Sequence, residues 1–264
     1  MQKRTGGEIY IGAVGPVRTG KSTFIKRFMD VAVLPYMEDA AQKTRAQDEL
    51  PQSAGGRTIT TTEPKFIPQE AVELKLAGEV TIRVRLVDCV GFMVEGAAGH
   101  LEDGAERLVK TPWYDHEIPF TQAAELGTRK VITDHSTIGV VVTTDGSFSD
   151  LPQETYLDAE NQAISELKKL HKPFLVLVNS SHPSSRTARE AAERIEKQHS
   201  VAAMPVNCAQ LSEEDIRQIM EQILYEFPVS RVEFYMPKWV EMLPFSHPLK
   251  TGLIEKIREL TGKI

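Results

Sequence analysis

Cysteine is nearly absent. Cys89 and Cys208 are the only two in 264 residues. Two cysteines, each in an apolar strand-like setting, make neither a disulfide framework nor a zinc site, and they fit a reducing cytosol. Long hydrophobic runs are missing as well. None approaches the ~18 residues of a membrane span, and the opening MQKRTGGE lacks the apolar core of a signal peptide. Basic charge is not in excess: the net charge is -6, so a broad nucleic-acid footprint is not expected. The seven histidines show no metal-ligand spacing. Repeats and low-complexity tracts are absent. The rest is ordinary, at 41% hydrophobic and 26% charged. That composition suits a soluble globular chain with room for one large α/β domain and an appendage.

Against this plain background one stretch stands out, IYIGAVGPVRTGKSTFIKRF from Ile9 to Phe28. A short apolar strand runs into Gly15-Pro16-Val17-Arg18-Thr19-Gly20-Lys21-Ser22-Thr23, then into helical spacing at Phe24, Ile25 and Phe28. This is G-x-x-x-x-G-K-S in the strand–loop–helix setting that a phosphate loop needs. Backbone N–H groups of residues 15 to 23, Pro16 excepted, would converge on phosphate oxygens, helped by the partial positive charge of the helix start. Lys21 is expected to reach the β- and γ-phosphates and Ser22 to ligate Mg²⁺.

A second motif follows, Leu86-Val87-Asp88-Cys89-Val90-Gly91. An acidic residue ending a neighbouring strand suits the second protein anchor of a phosphate-bound Mg²⁺, making Ser22, Asp88 and a sensor threonine the metal set. Gly91 would leave its N–H free to approach the γ-phosphate. Between the motifs lies Thr60-Thr61-Thr62-Glu63-Pro64, where Thr61 and Thr62 are candidates for a metal-contacting γ-phosphate sensor. Phe92 stands where many related hydrolases carry a water-orienting Gln, a task Phe cannot perform. Arg18 is either a built-in cation over the β–γ bridge or a solvated side chain contacting switch residues. The strand ending Leu177-Val178-Asn179 continues with Ser180-Ser181-His182. Asn179 occupies the first place of the guanine-reading Asn-Lys-x-Asp pattern, but the Lys and the Asp are missing. Without that carboxylate, guanine's N1 and N2 donors lack an acceptor, which points to ATP. Cys208-Ala209 falls where a base-capping loop would sit.

Hydrophobic periodicity places these motifs on a doubly covered, mostly parallel α/β sheet. Strands are expected at Glu8 to Val14, Ala71 to Leu76, Val80 to Val87, Ser136 to Thr144, Phe174 to Val178 and Val201 to Val206. The second and third would form an edge hairpin around Gly78-Glu79. Helices are expected from about Lys21 to Asp30, Asp39 to Asp48, Thr121 to Asp134, Glu154 to Leu170, Ser184 to His199 and Glu213 to Glu226. Ser212 and either Ser184 or Ser185 would be N-caps. Residues 35–57 and 89–120 read as long connections. The pattern breaks after Phe227-Pro228. The segment 229–264 is expected to be an appendage or the start of a following domain, with a strand near Val229 to Tyr235. Its helix would place Leu253, Ile254, Ile257 and Leu260 on one face. Trp113, Tyr114 and Trp239 are expected to be packing anchors.

The stretches RTGGEIYIGAVGPVRTGKSTFIKRFM, RAQDELPQSAGGRTITTTEPKF, RLVDCVGF, TPWYDHEIPF, AAELGTRKVITDHSTIGVVVTTDG and LYEFPV resemble the stage IV sporulation protein A family over most of the chain. The resemblance implies a three-layer P-loop fold of the translation-factor GTPase class, converted to ATP use, in residues 1–228. It implies Lys21 as the phosphate-loop lysine, Asp88 as the metal-side aspartate and Thr61 and Thr62 as sensors. It further implies ATP-driven self-assembly of the spore coat basement layer on the forespore surface, in the mother-cell cytosol. Expected partners are copies of itself, other coat morphogenetic proteins and a small membrane-anchoring protein, the last through C-terminal regions that family members carry beyond this sequence. The alternatives are a GTPase switch of the ribosome-assembly type and a scaffold that holds nucleotide only for stability.

Overall fold

The computed structural model describes residues 8–51, 63–75, 81–97, 101–102, 105–227 and 234–261. The chain divides into two compact units, Met1–Glu226 and Phe227–Ile264. The first unit holds a six-stranded sheet. Its strands are β1 (Glu8–Val14), β2 (Lys65–Lys75), β3 (Thr81–Asp88), β8 (Ile138–Thr144), β9 (Phe174–Asn179) and β10 (Ala203–Val206), in the order β10-β9-β8-β1-β3-β2. Every neighbouring pair is parallel except β2 with β3, which is antiparallel. This is a mixed α/β architecture, a mostly parallel sheet with one antiparallel edge strand. β2 begins well before the expected edge strand, and its pairing with β3 carries an irregularity between Ile67 and Val72. The turn at Gly78-Glu79 lies outside the described residues.

Both faces are covered because the central strands are apolar on both. β8 and β9 are buried at every position, as strands sandwiched between helices must be. One face packs Val14, Val87, Val141 and Val176 against Ala163, Ile164 and Ile195. Those last three lie on α4 (Leu157–Lys169) and α5 (Arg186–His199), and α3 (Phe120–Lys130) precedes them in the chain. Alternate strand residues such as Ile11, Leu86 and Leu177 are buried on the other face, where α1 (Lys21–Phe28) and α6 (Glu213–Tyr225) bury Phe24, Phe28, Ile219 and Ile223. Ser185 caps α5 through the amide of Ala188, and Ser212 forms a reciprocal capping box with Asp215 on α6. A further helix, α2 (Ala40–Asp48), is capped by Asp39.

Two helices change their turn near the C-terminal end. α1 runs on through a wider-turned segment at Met29–Val33, and α3 does the same at Val131–His135. The expected connection 89–120 contains two small antiparallel ribbons. These are β4 (Leu101–Glu102) with β5 (Ala105–Glu106), and β6 (Leu108–Thr111) with β7 (Tyr114–Pro119).

The second unit carries α7 (Lys238–Glu241) and α8 (Pro248–Thr261). Lys250 donates from Nζ to the carbonyls of Glu241 at 2.7 Å and Leu243 at 2.9 Å, closing the end of α7. The expected apolar face of α8 is open: Leu253 and Leu260 are exposed, and so is Trp239, which is no packing anchor. The expected strand start at 229–233 lies outside the described residues. Among the described residues, no helix is long and apolar enough to cross a membrane.

Candidate nucleotide-binding site

Parallel neighbours β1, β3, β8 and β9 end on the same side of the sheet. An open α/β sheet binds ligands beyond these carboxyl ends. The segment Gly15 to Ser22 leaves β1 there, Asp88 ends β3, and Asn179 ends β9. One end of the sheet therefore gathers three motifs that are far apart in sequence.

The loop is held by its own backbone and by two neighbouring strands. The amide of Val17 donates to the carbonyl of Phe92 at 2.9 Å, and the amide of Phe92 donates to the carbonyl of Gly15 at 3.0 Å. The Thr19 hydroxyl reaches the carbonyl of Val142 at 2.6 Å and that of Pro16 at 3.0 Å. Asn179 Nδ2 donates to the Thr19 carbonyl at 2.9 Å, while its Oδ1 accepts from the amide of Cys208 at 3.0 Å. Both ends of this carboxamide are used within the protein. Asn179 thus ties the phosphate loop to the turn after β10. Gly20 begins α1 with φ 98, a left-handed geometry. Arg18 sits half-buried on the loop with φ 62, and Thr23 lies on the first turn of α1.

Lys21 is buried, and its Nζ donates to the Pro16 carbonyl at 2.5 Å. Burial pushes its pKa down, with Cys89 and Asp88 pulling the other way. Ser22 Oγ donates to Asp88 Oδ2 at 2.8 Å, and the other carboxylate oxygen accepts from the amide of Cys89 at 3.0 Å. Burial raises the pKa of Asp88, opposed first by the Ser22 hydrogen bond and then by Lys21. These groups fit a divalent cation. Mg²⁺ holds oxygens at about 2.0–2.1 Å in an octahedron, which sets adjacent ligand oxygens about 2.9 Å apart. The Ser22–Asp88 separation is already close to that. Among the described residues there is no cluster of three or more acidic, His or Cys side chains able to hold a metal.

One sequence expectation changes. The Gly91 amide is not free: it donates to Thr128 Oγ1 at 3.0 Å. Thr128, fully buried on α3, had no local signal to single it out, since its partner lies 37 positions away. Phe92 is 1% exposed and packs into the core below the loop. Arg18, Gly15, Pro16, Val17, Thr19, Gly20, Lys21, Ser22, Asp88, Gly91 and Asn179 all lie at this end of the sheet, whereas Thr61 and Thr62 lie outside the described residues.

Residues 1–228 match the family model described as stage IV sporulation protein A, ATPase domain. The chain is 48% identical over 259 residues to stage IV sporulation protein A of Clostridioides difficile (strain 630), covering 98% of this chain and 53% of that protein. It is 45% identical over 264 residues to the protein of the same name from Bacillus subtilis (strain 168), covering 100% of this chain and 54% of the relative. The chain thus spans about half the length of the curated relatives it matches. Among solved structures, a crystal structure of SsGBP in complex with GDP is similar with a TM-score of 0.48 and 12% identity, covering 86% of this chain and 52% of the other.

Proposed function

Because the chain belongs to the ATPase-domain family of stage IV sporulation protein A, we propose that it binds MgATP at the loop of Gly15 to Ser22 and hydrolyses the β–γ phosphoanhydride. The observation that carries this reading is the 2.8 Å contact of Ser22 with Asp88 beside the buried Lys21. Taking the Lys21 ammonium and the Asp88 carboxylate away from water is costly, and a magnesium-bound triphosphate would give both charges partners. Mg²⁺, held by Ser22 and Asp88, would neutralise charge on the β- and γ-oxygens. Lys21 would leave the Pro16 carbonyl for the terminal phosphates, where its charge gains partners. The loop amides would bind the remaining phosphate oxygens. Thr61 or Thr62 would supply the γ-phosphate sensor. Water orientation must come from groups other than Phe92. Arg18→Ala separates the two roles open to Arg18: a slower chemical step assigns it to transition-state charge, an unchanged one to the solvent-facing role.

The base is adenine. Ser180, Ser181 and His182 offer no carboxylate to guanine's two donors, and Asn179 is committed to Thr19 and Cys208. Hydrolysis would drive self-assembly of the spore coat basement layer at the forespore surface, on the mother-cell side. Further coat proteins and a membrane-anchoring partner would engage regions that follow this domain in its relatives.

Side-by-side titration of MgATP and MgGTP, with phosphate release measured for the wild-type chain and Lys21→Ala, tests the chemistry. Tighter ATP binding and loss of release in the variant are expected. Tighter GTP binding would overturn the adenine assignment, and undiminished release by Lys21→Ala would overturn the site.

A further inference from the structure

The Gly91 amide faces α3, yet the Gly91 Cα lies against the phosphate loop. A side-chain carbon built there would fall 2.5 Å from the Gly15 carbonyl oxygen and 2.5 Å from Lys21 Nζ. Gly91 therefore touches the very group that would meet a terminal phosphate, while its N–H points to the Thr128 hydroxyl at 3.0 Å. That hydroxyl in turn donates to the Ala124 carbonyl at 2.8 Å, one turn back on α3. Thr128 is 0% exposed, so no water satisfies this amide if the hydroxyl is lost, and the Cys89 sulfur, which also meets the Gly91 amide, is only a weak acceptor.

The flanking residues are fixed. Asp88 is bonded to Ser22 and to the Cys89 amide. Phe92 is bonded through both its amide and its carbonyl to the phosphate loop. The peptide joining Val90 to Gly91 lies between these anchors, and the φ of Gly91 is +104 with no side chain to obstruct a turn.

We propose that Thr128 is a positioning residue. Its hydroxyl holds the Gly91 amide while no γ-phosphate is present and gives it up when a triphosphate enters, and this exchange sets the preference for triphosphate over diphosphate. The proposal rests on the reading of the loop as an ATP site. A diphosphate does not reach Gly91 and leaves the Thr128 bond in place. A triphosphate offers a charged acceptor in exchange for a neutral one, and each binding event pays for breaking the older bond.

The test is the ratio of ADP to ATPγS dissociation constants, measured with Mg²⁺ on the full 264-residue chain and on Thr128→Val and Thr128→Ser. Valine keeps the shape and removes the hydroxyl acceptor, so in the empty and ADP states the buried Gly91 N–H is left with only the weakly accepting Cys89 sulfur. The ratio is expected to rise about tenfold in favour of the triphosphate. Serine keeps the acceptor and is expected to keep the wild-type ratio. An unchanged ratio in a Thr128→Val chain that still binds nucleotide overturns the exchange and leaves the ATP site standing. A wild-type chain that binds neither nucleotide overturns both. Should Thr128→Val fail to fold, the Gly91 amide resonance of the wild-type chain decides. A shift with Mg-ATPγS and none with Mg-ADP supports the exchange, and the same position in both overturns it.

Discussion

A methyl group placed on Gly20 would stand 2.3 Å from Nδ2 of Asn179. The same Nδ2 donates to the carbonyl of Thr19, one residue earlier. The glycine leaves just the space in which the β9 terminus grips the phosphate loop.

Gly20→Ala is expected to break that grip twice, through the collision and through the φ of 98, which costs a residue with a Cβ about 1–2 kcal/mol. Thermal unfolding with and without MgATP checks this. The variant should melt several degrees lower and lose most of the nucleotide-induced shift.

Lys21→Ala separates stability from binding. The ammonium is buried and its pKa is depressed by that burial, so removing it is expected to leave the ligand-free chain at least as stable as wild type. The wild-type chain, with MgATP at about a hundredfold over its dissociation constant, should gain about 2.7 kcal/mol, or about 5–10 °C. Lys21→Ala should gain nothing, and a nucleotide-induced shift of wild-type size in the variant would refute the assignment.

Asp88→Asn is expected to trade activity for stability. Burial raises the carboxyl pKa in the folded chain, so the folded state binds this proton more tightly than the unfolded one. Its stabilising contribution is full below the unfolded carboxylate value of about 3.9 and is lost as pH rises through the raised folded value. At neutral pH the wild-type chain carries the cost of an ionised, desolvated group, and the amide does not. Urea unfolding should show the variant more stable near neutrality, with the gap closing at acid pH. Phosphate release should fall by about 100-fold or more.

Both thiols are expected to be inert in the folded chain. Burial pushes Cys89 up to about 11 and Cys208 up to about 12, far from the thiolate that reacts. A colorimetric thiol reagent at neutral pH should find almost none until denaturant is added, then two per chain.

The sequence was most informative where chemistry and geometry are both local. The strand Glu8–Val14 and the helix start at Lys21 follow from apolar spacing and the glycine-bounded loop. The Ser185 and Ser212 caps follow from a hydroxyl standing just before an apolar-periodic run. Long-range partners left no such trace. Thr128 reads as an ordinary helix residue until the fold sets it beside Gly91. Asn179 occupies a base-reading place in the motif, but the fold uses it to join Thr19 to Cys208. The ribbon of β6 and β7 was hidden because Leu108, Tyr114, Asp115, His116 and Glu117 are exposed, so no core imposes alternation on them. The edge strand β2 starts early because its pairing runs through an irregularity that interrupts the two-residue period. Trp239 misled because aromatic size argues for burial only where a core exists to receive it.

Phe92 is clamped front and back to the strip of chain that wraps the phosphates. A residue bolted down in this way at both its amide and its carbonyl is a fixed post, so on this strip of chain any turning that follows the loss of a phosphate falls to the peptide before it or to what comes after.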